Sequence, residues 1–102
     1  MPVASPRYEF NATMVSGAPP DPGVFALWEN DELIYYGRAL GEGATIQSRL
    51  REHLENRSAY CTGRATHYGW EITSNPRLRE AELLREYERA HGRLPRCNAK
   101  AA

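Results

Sequence analysis

The sequence predicts an α/β (α+β) domain: a small central antiparallel sheet of about three strands flanked by helices. Three observations lead there. Two aromatic-rich runs, GVFALWE and LIYYG, are separated by a short polar link, the pattern of a β-hairpin. Two later stretches repeat apolar residues at helical spacing, each behind a capping residue. The length, 102 residues, is that of one domain with a core of modest size.

The elements follow in chain order. Residues 1–22 hold five of the seven prolines (Pro2, Pro6, Pro19, Pro20 and Pro22) and read as an N-terminal tail or edge segment, with Tyr8-Glu9-Phe10 as a short edge strand or anchor. The folded domain spans 23–98. Gly23 to Glu29 forms a strand, Asn30-Asp31 a turn, and Leu33 to Gly37 a second strand. Gly41, Glu42 and Gly43 make a flexible loop. Thr45 caps a helix of ten to twelve residues, with Ser48 at the position where a full capping box carries Glu. Its inner stripe is Ile46, Leu50, His53 and Leu54. Arg57 to Thr66 has no period and reads as a loop. Tyr68 to Thr73 is a third strand. Asn75 caps a second helix with Pro76 at its first position; Leu78, Ala81, Leu83, Leu84 and Tyr87 form its buried stripe, and Gly92 closes it. Residues 93–98 run extended, and 99–102 are a C-terminal tail. Each helix needs the sheet to cover its apolar stripe, which makes a layered domain.

Composition narrows the function. Thirteen basic and thirteen acidic residues cancel, so a strong non-specific polyanion binder is not expected, although a small basic cleft is compatible with the total. Residues 1–32 carry a net −4, and 33–70 and 71–102 carry +2 each. Twelve of the thirteen bases are arginine; a GC-rich genome gives that bias, and so does a need for bidentate phosphate contacts. No apolar run is long enough to span a membrane and no signal peptide is visible, so membrane contact is not expected and a cytoplasmic location is. Cys61 and Cys97, far apart and only two, are expected as free thiols in a reducing compartment. Phosphate-cradle, GxSxG, HExxH and CxxC signatures are absent.

What remains is a polar set at element edges. Tyr35 and Tyr36 end the second strand beside Gly37; alternation sends one toward a helix or core and the other to the open side. Arg49 and His53 are four residues apart on one face of the first helix. Glu80 and Glu82 lie early in the second. Gly23-Val24-Phe25 followed by Tyr35-Tyr36-Gly37 resembles the paired strand motifs of the GIY-YIG nuclease superfamily. Arg49 falls where that family has its helical arginine, and His53 matches a histidine of some members. Glu80, followed by Leu83 and Leu84, fits the metal-binding glutamate, with Glu82 as the alternative. Asn98 in LPRCN fits the asparagine after a proline-containing segment. The resemblance covers 23–98. It departs at Phe25, where the family usually has tyrosine, and in a longer loop between Gly37 and Arg49.

The resemblance implies a metal-dependent endonuclease that hydrolyses DNA phosphodiester bonds with Mg²⁺ or Mn²⁺. Tyr35 is then the base that activates water, Arg49 the cation that meets charge on the phosphate, and Glu80 the metal ligand. His53 is implied in proton transfer or phosphate binding, and Arg38, Tyr36 and Asn98 on the substrate side, with Gly23, Phe25 and Gly37 as motif positions. A domain this small cuts with low specificity, forms a homodimer, or is directed by a targeting protein. Phe25 lacks the hydroxyl of the usual tyrosine, which motivates a second reading: a nucleic-acid-binding module of the same fold without catalysis. A third is a protein-interaction domain whose aromatic strands pack a partner.

Each residue also has a plain structural reading. Strand tyrosines pack, Arg49 pairs with Glu52, Glu80 is an acid favoured by the helix dipole, His53 is a packed aromatic and Asn98 caps a turn. Arg77, Arg79, Arg85, Arg89, Arg93 and Arg96 alternate with glutamates, as a solvated helix face does.

Overall fold

Strand β2 (Gly23–Glu29) is central because almost every residue in it is apolar: Val24, Phe25, Ala26 and Leu27 are all fully buried, which requires cover on both faces. The computed structural model describes residues 3 and 5–99. Four strands form one antiparallel sheet in the order β1 (Tyr8–Glu9), β4 (His67–Ile72), β2, β3 (Glu32–Ala39). Three helices, α1 (Ala12–Val15), α2 (Ile46–Glu55) and α3 (Pro76–His91), complete an α+β domain, with a 3-10 turn at Cys61–Arg64 inside the segment expected to be a loop.

The two faces of the sheet bury different clusters. On one side Phe25, Leu27, Ile34 and Tyr35 pack with Ile46 and Leu50 of α2. On the other Val24, Ala26, Trp28 and Tyr36 pack with Leu83 of α3. The β2–β3 register explains how the neighbours Ile34 and Tyr35 reach the same side. Leu27 pairs with Tyr35 but Trp28 pairs with Leu33, so Ile34 is an extra residue in a β-bulge. With a helix over each face, Tyr35 and Tyr36 are both buried. The expectation that one of them meets the open side is corrected for that reason.

Local chemistry sets the helix ends. Thr45 and Ser48 exchange side-chain and backbone hydrogen bonds in a capping box, so a serine hydroxyl does here what glutamate does elsewhere. Asn75 Oδ1 accepts from the Leu78 amide, Pro76 opens α3, and Gly92 ends it with a left-handed φ of 74°. The expected stripe of α3 is narrower than its sequence suggests: Leu78 is 55% exposed and Ala81 is also exposed. Within α3 the buried residues are Pro76 and Leu83, with Leu84 and Tyr87 partly buried against the same cluster as Leu83.

The N-terminal stretch beyond the edge strand, expected as a tail, is packed as far as it is described. Phe10, Val15 and Ala18 enter the α2-side core, and the carbonyls of Asp21 and Pro19 accept from the amides of Ile46 and Gln47, donors that a helix N-terminus leaves unpaired. Residues 1, 2 and 4, and the expected C-terminal tail from residue 100 on, lie outside the described residues.

Two corrections concern the C-terminal segment. Cys61 and Cys97 are joined in a disulfide, with Cα atoms 5.6 Å apart, and are not free thiols. The argument from free thiols to a reducing compartment falls with them. Residues 96–98 turn rather than run extended. That turn closes the outer edge of β3: the Cys97 amide donates to the Ile34 carbonyl at 2.8 Å, and Asn98 both accepts from the Tyr36 amide (2.8 Å) and donates to its carbonyl (2.9 Å). An edge strand otherwise leaves such groups open to another chain. No helix among the described residues is long and apolar enough to cross a membrane.

Candidate functional site

β3 is the outermost strand, so side chains from both faces of the sheet can meet around its free end. There Tyr35, Arg38 and Leu40 from β3 and its exit, Ala44 from the following loop, Arg49 from α2 and Glu80 from α3 line one open cavity of about 360 Å³. The chain thus brings together four of the polar residues singled out from the sequence: Tyr35, Arg38, Arg49 and Glu80.

The motif glycines make room for this. Gly37 lies opposite Phe25, and a Cβ on it would come within 2.4 Å of the Phe25 ring and 2.8 Å of the Tyr35 ring. Only glycine lets the two rings cross the strand there. A Cβ on Gly23 would meet the Glu71 carbonyl oxygen at 2.3 Å. Phe25 itself is fully buried, 6.0 Å from Tyr35 and 5.6 Å from His53 between ring centres, and contributes shape beneath the cavity rather than a polar group in it.

The cations are held differently. Arg49 is tied to Glu52 one turn along α2, and Glu52 in turn accepts from the Tyr60 hydroxyl at 2.9 Å. This chain fixes the guanidinium at the cavity wall. The Arg49–Glu52 pair is readable from i,i+3 spacing, but nothing in the sequence pointed to Tyr60. Arg38 Nη1 donates to Glu80 Oε1 at 2.7 Å. Glu80 stands in the second turn of α3, whose first turn has no acid, so the helix-dipole reading does not apply to it. The Arg38–Glu80 pairing was missed because the two residues are 42 positions apart.

Burial pushes the Tyr35 phenol above its usual range; Arg49 and Arg38 oppose that rise, while Glu80 adds to it. Tyr35 is therefore a neutral phenol in the free protein near pH 7. His53 sits behind it, 1% exposed, with its ring 5.3 Å from that of Tyr35 and its Nδ1 2.7 Å from Thr62 Oγ1. Burial, reinforced by Arg49, lowers its pKa to about 4. His53 does not line the cavity and is uncharged at neutral pH.

That burial has a measurable consequence. The unfolded histidine titrates near 6.5, so between pH 6.5 and about 4 the unfolded chain binds the proton that the folded chain refuses. Stability from a neutral His53 is complete above pH 6.5 and is lost as pH falls toward 4, by roughly 3 kcal/mol. In urea unfolding at pH 7.5 and pH 4.5, wild type is expected to lose more stability on acidification than His53→Gln. Equal losses would contradict a buried neutral imidazole.

The other sequence candidates lie elsewhere. Tyr36 faces α3, where it shares a groove with Trp28, Tyr87 and His91. Glu82 lies 3.6 Å from Arg79, which is also held by Glu71, and lines a different surface of α3. Asn98 is committed to the Tyr36 backbone.

Glu80 is the carboxylate that lines the cavity, and no cluster of three or more His, Cys, Asp or Glu residues converges among the described residues. This donor set does not make an all-protein metal cage. It does fit a hard divalent ion that keeps most of its waters and takes one carboxylate and substrate phosphate oxygens.

No protein-family model matches the chain, and neither a curated protein nor a solved structure is similar to it.

Proposed function

We propose that the cavity is the active site of a metal-dependent endonuclease of the GIY-YIG type that hydrolyses DNA phosphodiester bonds. The observation that carries this reading is that a phenol, two guanidiniums and one carboxylate, from β3, α2 and α3, line one solvent-open cavity. In the reaction a water oxygen attacks phosphorus, the ester P–O bond breaks, and the products are a phosphomonoester and an alcohol. Tyr35, a neutral phenol in the free protein, first loses its own proton to solvent under the positive potential of Arg49 and a bound divalent ion. The phenolate then orients the water and accepts its proton, and the departing oxygen takes a proton from solvent. Arg49, held in place by Glu52, meets the charge that builds on the non-bridging oxygens. Glu80 provides the protein oxygen for Mg²⁺ or Mn²⁺. Such an ion, when bound, stabilises the departing oxygen and adds positive potential beside Tyr35. His53, buried and neutral, acts here by packing behind the Tyr35 ring.

The test is cleavage of nicked and branched duplex DNA by the disulfide-bonded protein with Mg²⁺ or Mn²⁺. Cleavage that stops on metal removal is expected, and its absence on every substrate would overturn the enzyme reading. The buried Phe25, which puts no hydroxyl into the cavity, favours one rival: a module that binds nucleic acid without cutting it. That rival predicts salt-sensitive binding with no turnover and no effect of metal.

A further inference from the structure

The carboxylate and the arginine expected to act separately on metal and substrate are bonded to each other. Glu80 is 16% exposed and Arg38 41%, and both line the cavity. The 2.7 Å bond occupies Glu80 Oε1 with a full positive charge. A divalent cation brought to the same carboxylate meets that guanidinium at close range, and the two repel. A phosphate oxygen is an equally good partner for a guanidinium, whose planar fork suits it. Arg38 is exposed enough to turn toward such a group without leaving the cavity mouth. Arg49, by contrast, keeps its own carboxylate, Glu52, outside the cavity lining, so the two arginines are not equivalent.

We propose that Arg38 is a latch on Glu80: it blocks the carboxylate against divalent ions in the free protein and releases it when a substrate phosphate takes the guanidinium. This rests on the nuclease reading above and adds to it an order, phosphate before metal. It also adds cooperativity, since whatever the phosphate does for metal affinity the metal must do for DNA affinity.

The probe is Ca²⁺, a divalent ion with the same preference for oxygen ligands, so binding is read without turnover. Calorimetric titration of the metal-free protein is expected to show Arg38→Ala binding Ca²⁺ about tenfold tighter than wild type, within the usual range of coupling between sites. Arg38→Lys keeps a cation on Glu80 and is expected to stay near wild type, whereas Glu80→Gln loses the site in either background. In fluorescence anisotropy with a labelled nicked duplex, Ca²⁺ is expected to strengthen DNA binding more for wild type than for Arg38→Ala, by the same factor. If Arg38→Ala binds Ca²⁺ no tighter than wild type while Glu80→Gln still abolishes binding, the latch is wrong and the metal site stands. Equal strengthening of DNA binding in both proteins would likewise refute the latch. If Glu80→Gln changes nothing, or no variant binds Ca²⁺, both the latch and the metal reading fail.

Discussion

Arg49→Ala is expected to slow DNA cleavage about 10²- to 10³-fold with little change in thermal stability, the usual loss when one positioned group that stabilises transition-state charge is removed. The size of the effect follows from how the guanidinium is held. Tyr60 positions Glu52, Glu52 positions Arg49, and the cavity receives the result. Arg38 cannot substitute, because in the free protein it is engaged with Glu80. Arg49→Lys should fall between the two, since lysine restores the charge without the fork. The contrasting outcome is informative. As a surface ion pair and nothing more, Arg49–Glu52 would contribute only a few tenths of a kcal/mol. Its removal would then leave cleavage within about threefold of wild type, and the role given to Arg49 would be wrong.

Loss of the disulfide is expected to have the largest effect on stability. Cys61 and Cys97 are 36 residues apart in sequence, and the bond joins the 3-10 turn to the segment that closes the edge of β3. A loop of that length corresponds to about 4 kcal/mol in the chain-entropy account, with 2–4 typical of measurement. For a domain of this size each kcal/mol moves the midpoint by about 4–8 °C. Reduction, or the double change Cys61→Ser and Cys97→Ser, is therefore expected to lower Tm by at least ~10 °C. Reductant should have no further effect on the double variant. A wild-type Tm that does not respond to reductant would show that the bond contributes nothing to the fold.

The parts legible in the sequence are those fixed by short-range chemistry. Thr45, Asn75, Pro76 and Gly92 mark helix ends because each satisfies or omits a specific backbone donor or adopts a specific φ. The β2–β3 hairpin is visible because two aromatic runs flank Asn30-Asp31, and Asn30 takes the positive φ of 54° that asparagine tolerates. Tyr35, Arg38, Arg49 and Glu80 could be named individually, and the structure puts them on one cavity. What could not be read is long-range. The disulfide needs the turn at 96–98 to bring Cys97 beside the 3-10 turn. The bulge at Ile34 needs the partner strand, and the burial of both Tyr35 and Tyr36 needs a helix over each face of the sheet, which alternation along one strand does not reveal. Asn98 looks like a substrate-side residue until its two bonds to Tyr36 are seen. His53 illustrates the same limit, since helical spacing puts it beside Arg49 but says nothing of the three aromatic rings that enclose it.

The most direct measurement is a crystal structure of the full chain with Mn²⁺ and a nicked DNA duplex carrying a non-hydrolysable linkage, with the ion located by its anomalous signal. The account predicts manganese bonded to Glu80, with the linkage's phosphate group on Arg49 and the Tyr35 hydroxyl facing its phosphorus. Manganese bound away from Glu80, or DNA lying across another surface with this cavity empty, would contradict it.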